Sequence, residues 1–435
     1  MIDPGTISAI LIGGLVLLLA VGAPVSISIA LPSALCMLLI VDFERGAITA
    51  AQQMLGGADS FALLAIPFFI LAGVIMNSGG IAERLINLAR VLVGRTPAPL
   101  VQTNVIANAI FGSVTGSAVA TAAAVGTTMS PMQRREGYDR AFSAAANVAA
   151  APSGMLIPPS NTLIVYSLAA GGTSVGALFI AGYVPGILWA LACAAVVFVY
   201  ARRHPELRGE PWPKASVVLT TVWRAIPSLG LIVVAIGGIV AGFFTPTEGS
   251  AVAVVYALLL SFLYRTISVR HLPRILYDAC RTSAIVIFLI AVSTIMAYVM
   301  TYARLPQLIA ESLFGWTDSK VVVLLIMMLV LLLIGIPLDP TPAILIFTPI
   351  FLPIAVSYGI DPVHFGIMMV FNLSIAVISP PSAPVLFVGA QVANVKLEAV
   401  IVKMVPFLIV LIAMLFVIVF VPELSLWLPG LLGLL

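Results

Sequence analysis

MLIPPSNTLIVYS, Met155–Ser167, places two adjacent prolines and the polar run Ser160-Asn161-Thr162 inside an apolar segment long enough to cross a bilayer. Proline removes a backbone donor and its ring clashes with the preceding turn, so Pro158-Pro159 interrupts any helix that reaches it. Lipid tolerates open backbone only where it is buried in protein or lines a cavity. The stretch is therefore either a loop outside the membrane or a break held within it.

The rest of the chain supplies the membrane. Of 435 residues, 62% are hydrophobic and 9% charged, and the mean hydropathy is +1.20. A soluble chain is about half apolar and a quarter charged, so this is a polytopic, all-α membrane protein in contact with lipid. The net charge of +3 comes from basic residues scattered among loops, which is no nucleic-acid footprint. Cys36, Cys193 and Cys280 stand alone in apolar segments and read as core residues, not a disulfide framework. The first residues carry Asp3 and no basic n-region, as expected of a retained first span and not a cleaved signal. His204, His271 and His364 have no metal-ligand spacing. There is no HExxH, no GxSG and no phosphate-loop lysine, so neither an enzyme nor an ATP-driven motor is expected. A channel would suit rotationally repeated subunits and a polar stripe, neither of which is visible.

Apolar segments run over residues 6–21, 25–41, 61–77, 100–130, 141–170, 176–200, 226–244, 249–264, 282–303, 321–358, 362–394 and 398–420. Two are too long for one span and are interrupted, by GSVTGS (112–117) and by GIPLDPTP (335–342). Each reads as a re-entrant helical hairpin that returns to the side it entered from. With that assignment, loops 78–99, 131–140, 201–225, 265–281 and 395–397 share one side and hold 16 of the 20 basic residues. The bias is the positive-inside rule, and it places both termini outside.

Sliding the chain along itself by one constant offset superposes Pro24 on Pro246, Pro131 on Pro353, Gly137 on Gly359 and Asp139 on Asp361. At the same offset Pro158-Pro159-Ser160 falls on Pro380-Pro381-Ser382. Four proline coincidences compare with about one expected by chance. Equivalent segments run in opposite directions, so the expected architecture is an inverted-topology repeat with two hairpins and two broken helices. The expected division is 1–60 (scaffold spans), 61–200 (first transport repeat), 201–281 (linker and second scaffold spans) and 282–435 (second transport repeat).

The opening stretch then reads as a break within the membrane. A hairpin tip and an unwound helix from each half meet near the midplane. Unwound carbonyls and hydroxyls offer hard oxygen ligands for Na⁺, and freed helix N-termini attract carboxylates. The first candidate site combines Ser113, Thr115, Gly116 and Ser117 with Pro158, Ser160 and Asn161. The second combines Gly335, Pro337, Asp339 and Thr341 with Ser379, Pro380 and Ser382. Ser153, Gly154 and Thr162, flanking the first break, and Arg304 are candidate substrate contacts. Glycine and serine also pack membrane helices closely, and GSVTGS alone would suit that role. Asp339 is the carboxylate expected at a hairpin tip, with helix capping as its plainer use. Capping suits Glu248, Asp139 and Asp361, and snorkelling to an interface suits Arg304.

The whole chain resembles the large membrane subunit of tripartite ATP-independent periplasmic (TRAP) transporters. The likeness rests on GSVTGSAVATAAAVG (112–126), REGYDRAFSAAANVAAAPSGMLIPPSN (135–161), FFTPTEGSAVAVVYAL (243–258), DPVHFGIMMVFNLSIAVISPPSAPVLFVGA (361–390) and PFLIVLIAMLFVIVFVPELSLWLP (406–429). It implies an elevator-type importer of organic acids such as sialic acid or C4-dicarboxylates, coupled to two or more Na⁺. It also implies a separate small four-helix membrane subunit and a periplasmic substrate-binding protein. In similar proteins the hairpin tips and facing breaks hold Na⁺. Many members read GSGVADAAA in the first hairpin, and here Thr121 stands where aspartate often does. The competing expectation is a Na⁺-coupled carboxylate transporter of the same fold superfamily that works without a binding protein.

Overall fold

The computed structural model describes residues 3–204, 207, 214–314, 319–380 and 383–435. Among them there are twenty α-helices and no strand. The first ten are α1 (Pro4–Ala20), α2 (Val25–Ile40), α3 (Phe43–Ala58), α4 (Ala65–Ser78), α5 (Ile81–Val93), α6 (Pro99–Thr115), α7 (Ala118–Arg135), α8 (Arg140–Ala150), α9 (Asn161–Ala169) and α10 (Val175–Arg202). The second ten are α11 (Ala215–Val240), α12 (Pro246–Leu263), α13 (Leu272–Tyr302), α14 (Leu305–Phe314), α15 (Lys320–Gly335), α16 (Pro340–Ser357), α17 (Pro362–Ala376), α18 (Pro384–Ala393), α19 (Leu397–Phe420) and α20 (Glu423–Leu431). Among the described residues, seven helices are long and apolar enough to cross a membrane: Phe61–Ser78, Val175–Arg202, Ala215–Val240, Pro246–Leu263, Val269–Tyr302, Pro340–Ser357 and Leu397–Phe420.

The offset that carries Asp139 onto Asp361 reappears in the helix boundaries. α7 maps onto α16 at both ends, and α8, α10 and α6 begin within one residue of α17, α19 and α15 on the same shift. Even the caps correspond. Asp139 Oδ1 accepts from the amides of Ala141 (2.9 Å) and Phe142 (3.3 Å), and Asp361 Oδ1 accepts from Val363 (2.7 Å) and His364 (3.3 Å). A carboxylate there satisfies two of the orphan N–H groups of the first turn. Glu248 likewise closes a capping box with Thr245, accepting from its amide at 2.8 Å.

Two arrangements decide where the site lies. α6 and α7 are joined by Gly116 and Ser117 alone and pack against each other, as do α15 and α16 across residues 336–339. The interrupted helices α8 and α17 form the centre: every residue of Ala141–Ala150 and of Val363–Ala376 is buried. The alanines of α8 make that approach possible, because helix association in lipid relies on close packing and not on hydrophobic exclusion. Around this centre, α1 to α4 and α11 to α13 pack largely on one another.

The first interruption starts earlier than the proline pair suggests. α8 ends at Ala150 and passes into a 3₁₀ turn over Ala151–Met155, because Pro152 cannot donate to the preceding turn. The unwound backbone then runs to Ser160. The segment between 78 and 99, which reads from its charge as a loop, is mostly the helix α5.

Candidate functional site

The first break is held open by its own side chains. The carbonyl of Met155 accepts from Ser160 Oγ and from Thr162 Oγ1 (3.0 Å), and the two hydroxyls lie 2.8 Å apart. Ser160 also caps α9, accepting from the Leu163 amide at 3.4 Å. Ser153 Oγ donates back to the Ala150 carbonyl at 2.7 Å. From outside the break, the buried Trp189 of α10 donates Nε1–H to the Ala149 carbonyl at 2.8 Å. These bonds satisfy the polar groups that an interrupted helix exposes.

The first hairpin tip sits directly on this break. Gly116 adopts φ +60, a conformation that favours glycine. A methyl group built on it would lie 3.2 Å from Asn161 Nδ2 and 3.4 Å from the Pro159 carbonyl oxygen. One turn earlier, Gly112 and Gly154 touch backbone to backbone: a methyl on Gly154 would lie 2.2 Å from the Gly112 carbonyl carbon. Thr115 Oγ1 is 2.7 Å from Thr121 Oγ1, so the threonine in the place of an aspartate ties the tip to α7. Ser113 Oγ donates to Ile110 O at 2.7 Å, and Ser117 Oγ accepts from Ala120 N at 3.4 Å as the cap of α7. Thus Ser113, Thr115, Gly116, Ser117, Pro158, Ser160, Asn161, Ser153, Gly154 and Thr162 gather around one junction. Within it Asn161 Oδ1 is buried and without a hydrogen-bond partner. A buried amide oxygen without a donor is costly unless something electropositive occupies its lone pairs.

The second junction is assembled more loosely. Gly335 packs on α17, where its added methyl would lie 2.7 Å from the Ala376 Cβ. Asn372 of α17 donates Nδ2–H to the Met328 carbonyl of α15 at 2.8 Å, leaving its buried Oδ1 unpartnered. Ser379 Oγ donates to Ile375 O at 2.8 Å. Pro337 and Asp339 are exposed, and Thr341 and Pro380 half-buried. Asp339 occupies the N-cap position of α16, yet its side chain makes no capping bond. Capping therefore does not account for the carboxylate. Ser382 lies outside the described residues. Arg304 is exposed at the α13–α14 junction with φ 51, and no side-chain contact among the described residues joins it to Ser153, Gly154 or Thr162.

The two halves interlock. Tyr166 Oη of α9 donates to the Pro362 carbonyl at the start of α17 at 2.6 Å, and Gly366 leaves the room its ring fills. A layer of asparagines that the sequence reading passed over lies beside the first junction. Asn108 Nδ2 on α6 reaches Asn104 Oδ1 (2.6 Å) and Asn147 Oδ1 of α8 (3.0 Å), and Asn147 Nδ2 reaches the Ala122 carbonyl of α7 (2.8 Å). The signal was present: intramembrane amides in apolar segments mark polar networks.

Chemically the first junction offers carbonyl, hydroxyl and amide oxygens. Among the described residues no group of three His, Cys, Asp or Glu side chains gathers, so no transition-metal ligand set is formed there. The uncommitted Asn161 oxygen and the neutral donor set fit a hard monovalent cation.

Comparison with known proteins agrees with this architecture. The family described as "Tripartite ATP-independent periplasmic transporter, DctM component" matches residues 12–424. The uncharacterized protein YgiK of Salmonella typhimurium is 51% identical, with 97% of each chain covered. The C4-dicarboxylate TRAP transporter large permease protein DctM of Rhodobacter capsulatus is 36% identical over 98% of this chain and 100% of its own. The crystal structure of the Alcanivorax borkumensis YdaH transporter shares the fold at 14% identity, with a TM-score of 0.59 over 87% of this chain and 89% of that one. A family match of this extent, on a helical chain with seven candidate spans, settles the class: the chain belongs to the DctM family, the large permease subunits of tripartite ATP-independent periplasmic transporters.

Proposed function

We propose that this permease imports an organic acid, of the sialic acid or C4-dicarboxylate kind, by Na⁺-coupled symport. Substrate arrives from a periplasmic binding protein, and a small four-helix membrane subunit completes the transporter in the bacterial inner membrane. The observation that carries the Na⁺ reading is the first junction. A glycine-tipped hairpin is seated on an unwound helix, and the buried Asn161 Oδ1 beside it lacks a partner. The second junction supplies the matching position, with Asp339 free at its tip.

The recurrence of helix boundaries and caps at one constant offset supports two structural repeats. Their inverted orientation, the re-entrance of α6–α7 and α15–α16, and the periplasmic termini rest on the distribution of basic residues. In this reading the two hairpins and broken helices move as one block against a scaffold of outer spans. Ions close the tips before the block moves, which couples the substrate to the gradient. Family membership favours the version that depends on a binding protein over one that works without it.

The test is uptake of labelled organic acids into proteoliposomes holding this chain with its small subunit. The cognate binding protein and an inward Na⁺ gradient are each supplied or withheld. Uptake that needs both supports the proposal and names the substrate. Uptake unaffected by removing Na⁺ overturns the coupling, and uptake that ignores the binding protein restores the competing version.

A further inference from the structure

A cavity of about 810 Å³ lies away from both junctions, between α5, α11 and the turn after α12. Its wall brings together Arg84 and Arg90 of α5 and Arg224 of α11, against the single acid Glu83. Arg84 does not point freely into water. Its guanidinium carbon lies 3.3 Å from the ring centroid of Tyr264, which fixes the charge at the cavity wall. Tyr264 Oη is buried and without a hydrogen-bond partner. Trp223, also on the wall, is 73% exposed. An amphipathic ring left outside on a spanning helix marks headgroup depth.

The helix that carries Trp223 is turned outward: only 17% of the most apolar window of α11 is buried. Leu219, Trp223, Ile226 and Val233 are all exposed, at spacings of four, three and seven. Those spacings put them on one stripe running from the cavity toward the opposite face of the membrane. The ensemble has two parts in register, a cationic cavity at headgroup depth and an apolar track leading away from it.

We propose that this cavity binds the headgroup of an anionic phospholipid, the phosphate among Arg84, Arg90 and Arg224 and an acyl chain along α11. The phosphodiester takes bidentate guanidinium bonds from the arginines on the wall. A zwitterionic headgroup carries its own cation into the arginine cluster and binds less well. The general abundance of basic residues on this face does not produce the arrangement. Arg270 and Arg274 belong to the same basic set but do not line the cavity.

The experiment uses the full chain, purified in a neutral detergent. Dioleoyl phosphatidylglycerol, dioleoyl phosphatidylcholine or inorganic phosphate is titrated in, and both the thermal midpoint and lipid retention by native mass spectrometry are read. Phosphatidylglycerol is expected to stabilise and to remain bound. Phosphatidylcholine, and inorganic phosphate at matched concentration, are expected to do neither. Each arginine is expected to contribute about fivefold, so Arg84→Gln with Arg224→Gln weakens phosphatidylglycerol about 25-fold. The control pair Arg270→Gln with Arg274→Gln stays within about twofold. Equal binding of the two lipids overturns the proposal, as does an equal loss in the control pair. Inorganic phosphate matching the lipid reassigns the cavity to a small anion. Expulsion of the lipid by added small subunit reassigns it to a protein contact. Should the cavity variant fail to fold, the headgroup selectivity of the unmutated chain decides.

Discussion

Gly154 is the position where one methyl group tests the first junction. Built on this glycine, Cβ would lie 2.2 Å from the carbonyl carbon of Gly112 and 2.3 Å from its Cα. Ordinary contact begins at 3.4 Å, so α6 must withdraw from the break to admit the methyl. The obstacle is backbone, which cannot rotate aside. Overpacking of this kind costs about 1–3 kcal/mol. Gly116 lies one turn further along the same helix, so the withdrawal also loosens the seat of the tip on Pro159 and Asn161. If the cost falls on the closed, ion-bound arrangement, Gly154→Ala weakens Na⁺ binding by about 5- to 150-fold.

The structure grades the series. At Gly112 the nearest atom to a new methyl is the Gly154 Cα at 2.9 Å, which leaves much less to yield, so Gly112→Ala sits at the low end of that range. At Gly237, in α11, nothing lies within 4 Å, and Gly237→Ala is neutral or slightly stabilising. The assay is Na⁺-dependent thermal stabilisation of the purified chain, with choline chloride balancing ionic strength. Apparent affinity follows from the midpoint against concentration. Gly154→Ala titrating like the unmutated chain, or Gly112→Ala proving the worse of the two, would refute the reasoning.

Ser160→Ala and Asp339→Ala are expected to lower the Na⁺ dependence of uptake more than expression; unchanged ion dependence in either moves that residue to a purely structural role. Trp189→Phe removes the stronger of two donors to the Ala149 carbonyl, leaving Cys193 Sγ at 3.6 Å, and should cost about 1 kcal/mol of stability, read as a lower midpoint with or without Na⁺. Asp139 feels burial, which raises its pKa, but the hydrogen bond from Lys403 (3.0 Å), two backbone amides and the Lys403 charge outweigh it and hold the carboxyl below its ordinary value. A depressed acid contributes stability that is fully present above its unfolded pKa and is lost as pH falls through the folded one. Lys403→Met should therefore lower the midpoint at neutral pH, by no more than about 1 kcal/mol for so exposed a pair, and lose its effect in acid below the folded pKa of Asp139. A difference that persists there would point to packing instead.

What the sequence made legible was punctuation. Prolines, glycines and capping acids act locally, so Pro158-Pro159, the hairpin tip at Gly116 and the caps at Asp139, Asp361 and Glu248 were readable at their own positions. Their recurrence at one offset reappears in the helices. Local rules were less sure about extent. The run from Ala151 to Ser160 contains three prolines, and the helix yields at the first, Pro152, rather than at the pair. Charge concealed α5, whose basic residues look like a loop until the helix between Gly80 and Gly94 is drawn. The asparagine network depends on tertiary placement: Asn108 and Asn147 meet across 39 residues through the packing of α6 on α8. Periodicity names the face of a helix but not the helix opposite. The same limit applies to Asp339, whose capping role looked plausible from spacing and is absent in the fold.

The interlock between halves constrains how the molecule can move. Tyr166 belongs to the first interrupted helix and Pro362 to the second, and their hydrogen bond of 2.6 Å crosses the centre of the chain. Its ring occupies the space left by Gly366, where a methyl would fall 2.3 Å from Cε1. Met155, at the first break, lies against Ser374 of α17, with the hydroxyl 3.9 Å from the sulfur. Sliding one interrupted helix past the other would strip the half-buried Pro362 carbonyl of its donor and drive a ring into backbone. Close-packed interiors resist continuous deformation of that kind. In the elevator cycle proposed above, both junctions would travel together, and the flexible boundary would lie between this centre and the outer helices. A chain carrying Tyr166→Cys and Gly366→Cys, bridged by a short bifunctional thiol reagent, should retain the uptake it shows before bridging. Arrest of uptake by that bridge, in a chain that still binds Na⁺, would mean that the two halves move relative to each other and that the single-block reading is wrong.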